Sequence, residues 1–182
     1  MIVERWTIDS SPSAIHFAVR HLMISNVRGR FSRWSGTIRV DAGDWERATV
    51  DVVIDASSIN TGIQARDAHL RTAEYLDVTR YPDITLRARL VPSAAGEGRR
   101  IVGELTLKGQ TTEVELQLTN RGVRRDRWGN DRAGFKARTT LDRRALGITG
   151  NMALDSGGVV IGHRIQVDIE VEAVRQPTVQ VA

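Results

Sequence analysis

Period-two alternation of apolar and polar residues dominates the chain. Val50, Val52 and Ile54 alternate with Asp51, Val53 and Asp55. Ile84, Leu86, Ala88 and Leu90 are set against Thr85, Arg87 and Arg89, and Val114, Leu116 and Leu118 against Glu113, Glu115, Gln117 and Thr119. A longer run carries Ile161, Ile165, Val167, Ile169, Val171 and Ala173 opposite Arg164, Gln166, Asp168, Glu170 and Glu172. Successive side chains of a strand point to opposite faces, so each segment has one dry and one wet face. Strands of a parallel α/β sheet, covered on both faces, would show continuous apolar runs instead. The pattern predicts an antiparallel all-β chain.

Further strands are predicted at 6–8, 15–19, 31–40, 101–107 and 131–141, giving eight or nine. Turn sequences separate them at 41–44, 95–98, 108–109 and 128–130. Short connections favour neighbour-to-neighbour hairpins, hence an up-and-down barrel or an open meander. Two segments break the pattern. Residues 64–76 hold good helix formers, with Leu70, Ala73 and Leu76 three apart, and predict a short helix. Residues 142–158 are Gly-rich and lack alternation, as expected of a long connection.

Composition narrows the class. A chain of 182 residues with 41% hydrophobic content fits a single domain spanning residues 1–182. With no Cys there is neither a disulfide framework nor a thiolate metal site. The N-terminal sequence shows no apolar run of signal-peptide length, and no stretch reaches the roughly 18 apolar residues of a spanning helix. A soluble, cytoplasmic protein without a transmembrane segment is expected. The sequence pI of 10.3 suggests a nucleic-acid partner, yet the net charge is only +4. The basic residues are nearly all Arg, with Lys only at 108 and 136, and Arg stays charged to very high pH. An Arg bias thus explains the pI, and no nucleic acid is expected. Arg124, Arg125, Arg127 and Arg132, read as a solvated hairpin tip within 121–132, are the competing surface.

Catalytic motifs are missing: there is no Gly-x-Ser-x-Gly elbow, Gly-rich phosphate loop or His-Glu-x-x-His. His16, His21, His69 and His163 show no metal-ligand spacing, although His163 occupies the apolar phase of its strand. No metal, cofactor or catalytic residue is therefore assigned, and the chain reads as a non-enzyme. An enzyme using His21, Asp67 and His69 on an apolar substrate is the alternative. What remains is the barrel interior. Eight strands enclose a space that side chains can fill or one slender ligand can occupy. Strands of about ten residues tilted near 40° give a lumen of roughly 25 Å. Burying about 20 methylenes at ~0.8 kcal/mol each yields roughly 16 kcal/mol gross, before association costs. Periodicity alone leaves a filled and a vacant lumen equally open.

An ordered set of short motifs bears on that choice. It begins with Trp6-Thr7-Ile8-Asp9, a run from Ser13 through Ile15, Phe17, Val19 and His21 to Met23, and Val27-Arg28-Gly29-Arg30-Phe31. It continues with Ser35-Gly36-Thr37-Ile38, a run from Ile54 to Gly62, Arg66-Asp67-Ala68-His69-Leu70-Arg71 and Tyr75-Leu76-Asp77-Val78. Tyr81-Pro82-Asp83-Ile84-Thr85, a run from Gly103 to Gly109, Leu146-Gly147-Ile148 and Val167-Asp168-Ile169-Glu170 complete it. The set resembles the YceI-like family, the polyisoprenoid-binding, lipocalin-like group. The resemblance implies an all-β fold: an eight-stranded antiparallel lipocalin-like barrel with one short helix. It further implies an apolar lipid partner, isoprenoid or fatty-acyl, held in the lumen, and a homodimer. Pro12 and Leu146 depart from the family pattern, where a His and an aromatic are usual, which touches the choice of lipid.

The apolar phase then names the expected ligand-binding residues: Ile15, Phe17, Val19, Phe31, Ile38, Val50, Val52, Ile54, Leu86, Leu105, Leu116, Leu118 and Phe135, with His21 beside them. Arg28, Arg66, Asp67 and His69 are expected either at a polar mouth or as ties between strand ends and the helix.

Overall fold

A computed structural model describes residues 2–92, 98–150 and 160–178. Its strands are β1 (Val3–Ile8), β2 (Ala14–His21), β3 (Ser25–Phe31), β4 (Trp34–Asp41), β5 (Asp44–Asp55) and β6 (Ile59–Asn60). They continue with β7 (Asp83–Val91), β8 (Arg99–Leu107), β9 (Gln110–Arg125), β10 (Asp131–Asp142) and β11 (Ile161–Arg175). One helix, α1 (Gln64–Leu70), and two 3₁₀ turns, Ala56–Ser58 and Arg143–Leu146, complete the elements.

These strands form a closed antiparallel barrel of eight staves. Three staves are composite, each made of two strands in line: β1 with β2, β3 with β4, and β5 with β6. The closure is made by β11, whose Ala173–Arg175 end pairs with Trp6–Ile8 of β1 while residues 161–170 pair with β2. Every other stave pairs with its chain neighbour, so the topology is up-and-down. Most staves are joined by hairpin connections of a few residues, which favour this order; the exceptions follow β6 and β10.

The breaks in the composite staves are bonded to one another. Ser58, almost fully buried, donates its hydroxyl to the Asp55 carbonyl at 2.7 Å and accepts from the Arg33 amide at 3.1 Å. The Ser32 amide donates to the Ser58 carbonyl, and the Asp55 carboxylate accepts from the Ser57 amide. Here the expected strand at 31–40 divides into β3 and β4. Local bends of this kind let a sheet coil tightly enough to close.

Three other expectations are corrected. The helix ends at Leu70 and does not reach Leu76. Its carbonyls are taken early: the Thr72 hydroxyl and amide both donate to His69, and Leu76 donates to Leu70. Residues 71–82 continue as turns across the barrel end, with Tyr75 and Leu76 buried. The Arg-rich segment is mostly strand, because β9 runs to Arg125 and the turn is confined to 126–130. A bulge opposite Gly134 and Phe135 absorbs Arg121 and lets pairing resume through Arg125. On β11 the register against β2 shifts between Ile161 and Ile165, and His163 between them is not among the residues that line the cavity. Of the 142–158 connection, 142–150 is described and the remainder lies outside the described residues. Among the described residues no helix is long and apolar enough to cross a membrane.

Candidate functional site

The barrel encloses a cavity of about 520 Å³. That is the scale of sites that take a single small ligand. Its wall is assembled from the inward phase of the staves, so alternation alone makes it continuous and oily. Ile15, Phe17 and Val19 reach it from β2, and Phe31 from β3. Ile38 comes from β4, Val50, Val52 and Ile54 from β5, and Leu86 from β7. Leu105 comes from β8, Leu116 and Leu118 from β9, and Phe135 from β10. All of the apolar residues expected at the lumen thus line the cavity, and so does His21.

Each end of the barrel is built differently. At the end where the chain begins, Trp45 stacks between Trp6 and Phe135, at ring-centroid distances of 5.1 and 5.4 Å. With Val40, Ala133 and Ala173, all fully buried, this cluster packs along one side of the lumen. Small residues at 133 and 173 are what let the rings pack inside a closed barrel. At the other end, Tyr75 and Leu76 from the segment after α1 meet Leu146 and Ile148 beyond β10 in a second buried cluster.

Charge is concentrated at this second, helix-bearing end. Arg20, His21, Arg66, His69 and Glu74 belong to the lining there, and Arg20, His69 and Glu74 are exposed, which brings the cavity to solvent. The His69 Nε2 sits 2.6 Å from the Glu74 carboxylate, and its ring meets Tyr75 edge-on at 5.0 Å. Arg66 donates through Nε and Nη2 to the Thr61 hydroxyl and carbonyl, at 2.7 and 2.8 Å.

Beneath the rim lies a buried cation. Arg143 is only 2% exposed and donates to the carbonyls of Ile148, Gly150, Ile161 and Gly162, at 2.8 to 3.2 Å. Backbone oxygens thereby replace water around the guanidinium. Burial lowers the pKa of Arg143 and raises that of the neighbouring Tyr75 hydroxyl, as removal of a charge from water requires.

Two of the expected mouth residues lie elsewhere. Arg28 projects from the exposed phase of β3 and is not part of the cavity wall. Asp67 is buried but spent: its Oδ1 accepts from the Thr61 amide at 2.8 Å and the Thr61 hydroxyl at 2.6 Å. It ties the β6–α1 junction, as does Arg71, which donates to the carbonyls of Ser57 and Ile59. Of the set His21, Asp67 and His69, the two histidines line the cavity while Asp67 does not; Asp67 bonds Thr61 and His69 meets Glu74. Among the described residues no three His, Asp or Glu side chains are grouped to hold a metal ion. In the Arg cluster at the 126–130 turn, two of the four residues, Arg125 and Arg132, are paired with carboxylates, and among the described residues Arg124 is bonded only to the Val123 carbonyl. Arg132 meets Asp9, Asp126 and Glu172, Arg125 meets Asp131, and Arg127 lies over the Trp128 ring.

Sequence reasoning missed Arg143, Trp45, Tyr75, Leu76, Leu146 and Ile148 as cavity residues. The inward phase of β11, with Val167, Ile169 and Val171, was legible from its alternation. The others sit in turns or at a strand start, where no periodic pattern reports the direction of a side chain.

With that geometry in place, comparison with known proteins is specific. A UPF0312 protein of Staphylococcus aureus (strain USA300) is 30% identical over 171 residues, covering 93% of this chain and 97% of the relative. The crystal structure of the Campylobacter jejuni YceI protein matches with a TM-score of 0.73 at 29% identity, over 87% of this chain and 90% of that one. A polyisoprenoid-binding domain from Saccharophagus degradans shares the fold, with a TM-score of 0.71 at 19% identity over 94% and 98% of the two chains. The family model of the YceI-like domain spans residues 6–173, and the chain therefore belongs to the YceI-like family.

Proposed function

We propose that this protein holds a long apolar molecule, of polyisoprenoid, isoprenoid-quinone or fatty-acyl type, in its lumen as a carrier, store or sequestering protein. The observation that carries the reading is the cavity itself. It is walled by aliphatic and aromatic side chains from every stave, and its few charged groups are confined largely to one end. Such a wall rewards burial of methylenes at about 0.8 kcal/mol each and offers an alkyl chain no polar group to satisfy on the way. The likeness to a polyisoprenoid-binding domain supports the same ligand class. Binding without chemistry is supported by the rim, where Asp67 and His69 are committed to Thr61 and Glu74. A homodimer and a cytoplasmic site of action belong to the same reading; light scattering and cell fractionation check them.

The test is uptake of added prenyl alcohols and long-chain fatty acids by purified protein freed of bound lipid. Leu86→Trp keeps the wall apolar while filling the lumen, and Phe17→Arg places a cation in it. Both are expected to lose uptake at least tenfold, the loss of about 1.4 kcal/mol or more of apolar contact. Uptake by Leu86→Trp equal to that of the parent protein would refute the lumen as the binding place.

A further inference from the structure

The cavity end that carries the charged rim also carries an apolar projection that the fold leaves uncovered. In the turn between β2 and β3, Leu22, Met23 and Ile24 are 38%, 50% and 84% exposed. Ile63, at the start of α1 on the same end, is 53% exposed. Three consecutive exposed apolar residues are a liability in water unless something covers them. Their posture is built rather than loose. Leu22 and Met23 hold φ values of +52° and +61°, in the left-handed region that side chains other than Gly rarely adopt. Arg20 Nη1 donates to the Met23 carbonyl at 2.9 Å, Ile24 to the His21 carbonyl at 3.2 Å, and Leu22 to the Val160 carbonyl at 2.7 Å.

Within the segment that carries this lip, charge has one sign, and the exposed Glu74 on the same rim is engaged by His69. From residue 10 to residue 40 the chain contains no Asp or Glu. Arg33 and Arg39 in that segment pair with Asp55 and Asp51 across β5. Arg20, Arg28 and Arg30, on the outward phase of β2 and β3, have no acidic partner among the described residues. On the adjoining β11, Asp168 and Glu170 are already engaged by Arg138 and Lys136. The apolar lip thus stands beside guanidinium groups that meet no carboxylate among the described residues, and Arg20 and His21, the residues just before it, are part of the cavity wall.

We infer that this end docks on an anionic lipid bilayer, with Leu22, Met23, Ile24 and Ile63 entering the interface and Arg20, Arg28 and Arg30 meeting lipid headgroups. An apolar tip with flanking cations is the combination that holds a peripheral protein on such a surface. A second copy of the chain is a poorer occupant, because a two-fold contact would set these Arg side chains against their own copies. The inference rests on the carrier reading only for its purpose, which is to place the cavity mouth against the source of an apolar ligand; docking is measured independently of loading.

The experiment is flotation of the full chain with vesicles of phosphatidylglycerol and phosphatidylcholine, beside vesicles of phosphatidylcholine alone. Flotation is expected with the anionic vesicles only, weakening as salt screens the Arg side chains. Met23→Ser with Ile24→Ser is expected to abolish it, and Arg28→Gln with Arg30→Gln to weaken it about fivefold per charge removed. Trp128→Ser, at the opposite end, is expected to leave it unchanged. These positions are exposed, and an unaltered thermal melt confirms that each variant folds. Absence of flotation by the parent protein, equal flotation by the lip variant, or a lip variant that merely converts a dimer to a monomer would each overturn the proposal. Lipid extracted from the same protein preparation reports on the carrier reading separately.

Discussion

Arg143 shows what a single side chain contributes beneath the rim of an apolar cavity. Its guanidinium gathers the carbonyls of Ile148, Gly150, Ile161 and Gly162, and so joins the turn after β10 to the start of β11. Leu146 and Ile148, which cap the lumen, hang from the segment it fixes. Replacing it with Leu would fill the space yet leave those carbonyls without donors. Arg143→Leu is expected to cost about 3 kcal/mol of stability, read as a lower urea midpoint. An unchanged midpoint would show that the carbonyls find other partners. Asp67 teaches the converse lesson. A motif containing Arg, Asp and His one helical turn before a barrel mouth invites a chemical reading, but both hydrogen bonds recorded for the carboxylate go to Thr61. The residue types were legible in the sequence; their partners, set by how the chain bends after β6, were not.

At the scale of elements, side-chain size decides how closely staves approach. Gly103 of β8 lies opposite Ala88 of β7, and a Cβ added there would stand 2.2 Å from the Arg87 carbonyl oxygen and 2.5 Å from the Ala88 Cα. These are backbone atoms that cannot swing aside. Gly103→Ala is expected to push the two staves apart and to destabilise the barrel by about 1–3 kcal/mol. A thermal melt that matches the parent protein would contradict that expectation. The same scale explains which elements the sequence disclosed. Strands whose one face is dry and other face wet, such as β7 and β9, announce themselves by alternation, and the cavity wall follows because inward phase and apolar phase coincide. The break between β1 and β2 showed as two separate predicted strands, but the splits of β3 from β4 and of β5 from β6 did not, because Ser32, Ser58 and Asp55 carry out that bend through hydrogen bonds between distant segments. The early end of α1 was likewise hidden, since Thr72 competes for a carbonyl that the 64–76 pattern would leave to the helix. The turn clusters that close the lumen, with Tyr75, Leu76, Leu146 and Ile148, have no period to read.

For the whole molecule, closure is the property from which function follows. Pairing of β1 and β2 with β11 leaves the ring without an open edge, so the inward side chains face only one another and the space between them. Trp6, Trp45 and Phe135 pack together at one end, while the helix-bearing end combines a charged rim with an apolar lip. A ring of staves around an apolar cavity, with an adhesive lip at the helix-bearing end, is suited to receive a chain-like guest. Mass spectrometry of an organic extract from protein purified without detergent tests this most directly. A long apolar molecule in near-stoichiometric amount, absent from the Leu86→Trp variant purified alongside, is the predicted result. An extract without such a molecule, from protein that also fails to take up added prenyl or fatty-acyl compounds, would contradict the account.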